Sequence, residues 1–254
     1  MKETWRMLET GYHTAAENMA IDYAILKAHS EGLVLPTIRF YGWSPPAISI
    51  GYFQRLNEEI DMEACKREGV SYVRRITGGG AVFHEDEVTY SCIVSEKNPK
   101  ISHQILESYD QICGAIIKGL EELDIHSSFA PINDIVVNGK KISGNAQTRK
   151  MKTVLQHGTI LLDVDVEKMF SILKVPNEKI KDKMISNVKE RVTSLSHVLS
   201  EPPSFTEVIA ALKTGFEGTF DIILEEGLLT SEEEEYSKIF EQKNFSNPTW
   251  NHLR

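Results

Sequence analysis

From Gln104 to Leu123 apolar side chains fall at Ile105, Tyr109, Ile112, Ile116, Leu120 and Leu123, the three-to-four spacing of a helix with one buried face. A second helix is predicted over about residues 15–29. Thr14-Ala15-Ala16-Glu17 has the form of a capping box, Met19, Ala20, Tyr23, Ala24 and Leu26 form an apolar face, and Gly32 lies beyond the end. Between these helices the pattern turns β-branched and aromatic. Thr37–Trp43 and residues 47–52 read as strands around the turn Ser44-Pro45-Pro46, and residues 61–68 as a short helix closed by Gly69. Residues 71–75 form a strand running into Gly78-Gly79-Gly80, followed by a strand over 88–94. Asn138-Gly139 predicts a hairpin between 134–138 and 141–147, and 153–163 adds a strand. Short helices follow near 166–173 and 178–184, then a longer one opened by the capping box Ser204-Phe205-Thr206-Glu207. Residues 220–226 return as one strand. Glu232 to Glu235 start a last helix, where negative charge suits the amino-terminal end of the macrodipole. The fold class is α/β of the α+β type: a mixed, largely antiparallel sheet flanked by helices.

Composition narrows the function classes. With 28 Lys and Arg against 37 Asp and Glu, the 254-residue chain has a formal net charge of −9, which disfavours wrapping a nucleic-acid backbone. The amino terminus lacks the apolar core of a signal peptide, and no apolar run approaches the roughly 18 residues of a membrane span. Cys65, Cys92 and Cys113 are widely separated, without C-x-x-C spacing. This pattern indicates neither a disulfide framework nor a zinc site, so no metal is expected, and it suits a reducing cytoplasm.

Three consecutive glycines after a strand ending in Arg74-Arg75 are the least ordinary feature of the chain. Such backbone can approach an anion while its amides and the arginines neutralise it; a tight turn between strands is the competing reading. Neither a Walker loop nor a dinucleotide fingerprint is present. Asn133-Asp134 and Lys140-Lys141-Ile142-Ser143-Gly144-Asn145-Ala146 form a second cluster. Side chains alternate along a strand, so only one of the two lysines can face a pocket; Lys141, in phase with Ser143, is the candidate, against a solvated hairpin carrying both. His84, four residues past Gly80, either orients the turn or transfers protons. His157-Gly158 lies amid apolar neighbours, where a satisfied core histidine is the commoner role. Phe40, Tyr41, Trp43, Tyr52, Phe53 and Trp250 are expected to be core or pocket wall.

Arg74-Arg75-x-Thr77-Gly78-Gly79-Gly80-Ala81-Val82-Phe83-His84, with Asn133-Asp134-Ile135-Val136 and Lys141-Ile142-Ser143-Gly144-Asn145-Ala146, resembles the lipoate-protein ligase A and octanoyltransferase family. Asn18 to Asp22, Arg39 to Trp43, Ile50 to Gln54, Leu155 to Thr159 and Arg191-Val192-Thr193 extend the likeness over nearly the whole chain. The resemblance implies a fold similar to the catalytic domain of biotin protein ligase, one catalytic domain over residues 1–254, and Lys141 as the catalytic residue. It implies substrate and ATP contacts at Arg75, Thr77, Gly78, Gly79, Gly80, Ala81, Val82, Phe83, His84, Asn133, Asp134, Gly144, Ala146, His157 and Gly158.

The ligase branch implies ATP and lipoate as cofactor and substrate, joined as lipoyl-AMP with Mg²⁺ as an optional companion. The acceptor would be a lipoyl domain of 2-oxoacid dehydrogenase E2 or glycine-cleavage H protein type, and a separate small accessory subunit would supply a carboxy-terminal domain absent here. The transferase branch moves acyl groups between carrier proteins without ATP, through a cysteine thioester. The two places where its subgroups keep that cysteine hold Val154 and the run Ser127-Ser128-Phe129-Ala130 here. On that ground the expectation is a ligase, with transfer as the alternative.

Overall fold

The computed structural model describes residues 2–174 and 178–254. Eleven strands are found among them: β1 (Glu3–His13), β2 (Thr37–Trp43), β3 (Ala47–Ile50), β4 (Ser71–Arg74), β5 (Val82–His84), β6 (Glu87–Ser95), β7 (Ser128–Ala130), β8 (Asp134–Val137), β9 (Lys140–Lys150), β10 (Thr153–Leu161) and β11 (Ile222–Glu226). The large sheet runs β11-β1-β2-β6-β10-β9-β8-β7, and β4-β3-β5 form a small second sheet. β1 pairs in parallel with β11 and β2, and the other large-sheet pairs are antiparallel. The fold is thus the mixed, largely antiparallel α/β arrangement that the pattern predicts.

β2 is buried at every position because both faces of the sheet are covered. Ile38 and Phe40 pack toward the helices Ile105–Glu121 and Phe205–Phe220, whereas Tyr41 and Trp43 pack with the helix Ala15–Ser30 on the opposite face. The helix Ala15–Ser30 starts at the predicted capping box, with Thr14 and Glu17 each bonding the other's backbone amide. It is buried nearly all round rather than on one stripe, since the helix Ser231–Phe240 and the following π-helical turn Glu241–Phe245 cover its outer side. Its Asn18 and Asp22, one turn apart, face the sheet and meet Arg39 of β2.

Other expectations shift in detail. The strands flanking Ser44-Pro45-Pro46 do not form a hairpin: β2 joins the large sheet and β3 the small one. β1 escapes the apolar pattern, and the helix after Glu232 is followed by further helical turns rather than ending the fold. The second short helix extends over Glu178–Arg191. Phe53, expected in the core or a pocket wall, is 68% exposed. Among the described residues no helix is long and apolar enough to cross a membrane.

Candidate active site

A cavity of about 170 Å³ opens between the large sheet, the small sheet and the glycine turn. The turn is shaped from beneath by Arg75. Alternation along the strand end sends the two arginines to opposite sides. Arg74 points away from the cavity, to the carbonyls of Gly51, Tyr52, Gln54, Trp250 and Asn251, so only Arg75 serves the site. Its guanidinium donates to Thr77 Oγ1, Ser49 O, Ser49 Oγ, Gly78 O and Gly80 O at 2.7–3.1 Å. Burial without a carboxylate partner pulls it down to about 10. Gly79 has φ 96°, and a Cβ there would lie 2.9 Å from Arg75 Nη2, so the turn requires glycine on both counts.

The cation at the mouth is Lys141. β9 carries a bulge: Lys141 pairs with Val136 and Ser143 with Ile135, leaving Ile142 as the extra residue. This breaks the predicted phase. Lys141 shares its side of the strand with Gly144, not Ser143, while Lys140 is exposed. A Cβ on Gly144 would lie 2.7 Å from Lys141 Nζ, so the glycine leaves the channel along which the lysine lies. Asp134 Oδ1 holds Nζ at 2.7 Å, supplying the anion that an inward lysine needs. Below it, Asn133 and Asn145 exchange side-chain and backbone hydrogen bonds, and Asn145 Oδ1 accepts from Tyr90 at 2.6 Å.

Two histidines flank Arg75. His84 Nδ1 lies 2.7 Å from Glu87 Oε1, and Nε2 lies 2.7 Å from Ser49 Oγ. Glu87 can only accept and Arg75 can only donate, so His84 carries its proton on Nδ1 and Ser49 donates to Nε2. His157 repeats the scheme, with Nε2 2.7 Å from Thr77 Oγ1 and Nδ1 3.4 Å from Asp22 Oδ2. Burial lowers the His157 imidazole, opposed by Asp22 and reinforced by Arg75 and His84. Burial pushes Asp22 up, but Arg39 and the His157 hydrogen bond outweigh it, and the carboxyl ends below its ordinary value.

Of the residues predicted for the site, the cavity is lined by Arg75, Gly79, Gly80, Ala81, Val82, His84, Asn133, Lys141, Gly144, Ala146, His157 and Gly158. Thr77 and Gly78 lie behind it on Arg75, and Asp134 acts through Lys141. Phe83, out of phase with Val82 and His84, packs with the cluster under the small sheet. Sequence reasoning missed Ser49, Thr89 and Glu87. Only their alternation within strands marked them, and nothing local told which face would meet the glycine turn. All three cysteines are buried. Burial raises Cys65 to about 11 and Cys113 to about 12, and raises Cys92 as well. None lines the cavity, so none is a thiolate placed to take an acyl group.

Residues 14–217 match the family described as the lipoyl protein ligase A/B catalytic domain, and the chain belongs to that family. Octanoyltransferase LipM of Geobacillus kaustophilus is 40% identical, covering 100% of this chain and 99% of its own. Octanoyltransferase LipM of Bacillus subtilis is 36% identical over the same shares. A structure of the bipartite lipoate protein ligase system of Thermoplasma acidophilum is similar at TM-score 0.91 and 30% identity, covering 99% of this chain and 98% of that one.

These relatives correct the expectation of an ATP-dependent ligase, because the full-length likeness is greater to octanoyltransferases. ATP, lipoyl-AMP and an accompanying Mg²⁺ fall with it. Arg75, expected to contact ATP, already gives its five N–H groups to protein acceptors.

Proposed function

We propose that the chain is an acyltransferase that moves an octanoyl-class acyl group from a carrier-bound thioester to a lysine of a lipoyl-acceptor domain, without ATP. The observation that carries this reading is the 36–40% identity to octanoyltransferases over the full chain. The site suits it. Tyr41, Trp43, Ala81 and Val82 supply apolar wall for an acyl chain, and Lys141, held by Asp134, stands where a cation can neutralise oxygen charge as the carbonyl is attacked. Arg75 and the three glycines keep the cavity's shape, so donor and acceptor meet in fixed geometry.

On this reading residues 1–254 act as one catalytic unit, and the acceptor is of the E2 or H-protein type. The test is incubation with octanoyl-acyl-carrier protein and an acceptor domain in the absence of ATP, followed by intact mass. One octanoyl group on the acceptor lysine is expected; modification only when free acid and ATP are supplied would overturn the assignment.

A further inference from the structure

An acyltransferase without a usable cysteine needs another route for the acyl group, and Ser49 sits where one is required. Ser49 lines the cavity, and its Oγ donates to His84 Nε2 at 2.7 Å and accepts from Arg75 Nη1 at 3.1 Å. Behind His84, Glu87 Oε1 holds Nδ1 at 2.7 Å and also accepts from Thr89 Oγ1 at 2.5 Å. Thr89 in turn accepts from Trp43 Nε1 at 2.8 Å, and the Trp43 ring stacks on His84 at 4.0 Å. The imidazole is therefore fixed in tautomer by its carboxylate and in plane by the indole. A nucleophile, a base and an orienting carboxylate in hydrogen-bonded series is the arrangement that activates a hydroxyl for acyl transfer.

We propose that Ser49 is the nucleophile that carries the acyl group as an ester, with His84 as its general base and Glu87 as the positioning residue. The proposal rests on the acyltransferase reading for its donor, not for its geometry. In the first half-reaction Ser49 Oγ attacks the thioester carbonyl while its proton passes to His84 Nε2. The C–S bond breaks, and the departing carrier sulfur takes that proton, leaving an ester and a thiol. In the second, the neutral amine of the acceptor lysine attacks the ester and loses a proton to His84. The C–O bond breaks, Ser49 Oγ recovers the proton, and the amide leaves. Lys141 faces the same cavity and supplies the charge for the oxygen that turns negative in both halves.

The experiment has two arms on the full chain. A fluorophosphonate probe, which reports an activated serine without any carrier protein, should modify Ser49 as mapped by peptide mass spectrometry, and His84→Gln should abolish the modification. With octanoyl-acyl-carrier protein, acid quenching should trap one octanoyl group on Ser49. Ser49→Ala should lose transfer by at least about 10³-fold, and Ser49→Cys, a change of one atom, should keep a measurable rate and accumulate a thioester. Transfer at the wild-type rate by a folded Ser49→Ala protein would overturn the nucleophile and leave the acyltransferase assignment standing. Probe labelling of Ser49 with no octanoyl transfer would support the nucleophile and overturn the assignment of its donor.

Discussion

On either side of Arg75 a hydroxyl, a histidine and a carboxylate stand in line: Ser49, His84 and Glu87 on one side, Thr77, His157 and Asp22 on the other. Arg75 donates to both hydroxyls, so the tautomer argument is the same for each. The surroundings differ. Ser49 opens onto the cavity, whereas Thr77 is fully buried behind the glycine turn. Glu87 holds His84 at 2.7 Å and keeps Oε2 without a hydrogen-bond partner among the described residues, whereas Asp22 stands 3.4 Å from His157 and is saturated by Arg39, Tyr41 and Ser91. A carboxylate already committed to a buried arginine is a structural anchor. One shared between a threonine hydroxyl and a histidine at a cavity wall is free to orient that histidine. Similar triads of atoms thus acquire different roles from what else each carboxylate must satisfy.

Exchanging the carboxylates for amides should separate the two sides most clearly. Glu87→Gln removes the negative charge that orients His84 and stabilises its imidazolium, so octanoyl transfer should fall by on the order of 10⁴-fold. The loss should appear in kcat with KM for the donor held, while thermal stability changes little; an unchanged rate would remove His84 from proton transfer. Asp22→Asn should do the reverse. It leaves the guanidinium of Arg39 buried without its counter-charge, and urea unfolding should show a loss of about 3–5 kcal/mol. A cost below 1 kcal/mol would show that Asp22 is no anchor.

Lys141→Ala should leave both histidine arrangements intact and lower transfer by about 10²–10³-fold through the lost oxyanion partner. A full rate would move the oxyanion site elsewhere on the cavity.

The smallest effect concerns pH. His157 is held below its ordinary value, so under acid the unfolded chain takes up a proton that the folded chain refuses. Its contribution is complete above about pH 6.5 and is lost as pH falls below that toward the folded value, at up to about 1.4 kcal/mol per pH unit. His13 and His29 are also lowered, chiefly by burial, and act in the same direction. His157→Gln should therefore flatten, not abolish, the decline in unfolding free energy between pH 7 and pH 5; an unchanged slope would show that His157 is protonated in the fold.

Much of the architecture was legible because periodicity and capping are local. The box at Thr14 and Glu17, the apolar spacing from Ile105 to Leu120 and the turn at Asn138-Gly139 each specify their element without reference to the rest of the chain. Lys141, Gly79 and Gly80 of the quoted motifs line one cavity. β1 was not legible, because its pattern alternates poorly and its place between β11 and β2 depends on strands far away in sequence.

The sequence by itself determined the class of fold, through local periodicity and capping, and carried the motifs whose resemblance points to the family. Tertiary structure decided which groups could react. A bulge at Ile142, not simple alternation, put Lys141 beside Gly144. Pairing of β3 with β5 in the small sheet brought Ser49 within hydrogen-bonding distance of His84, whose carboxylate partner begins β6 of the large sheet. Those placements arise from contacts between segments with no shared local signal, so only the packed molecule contains them.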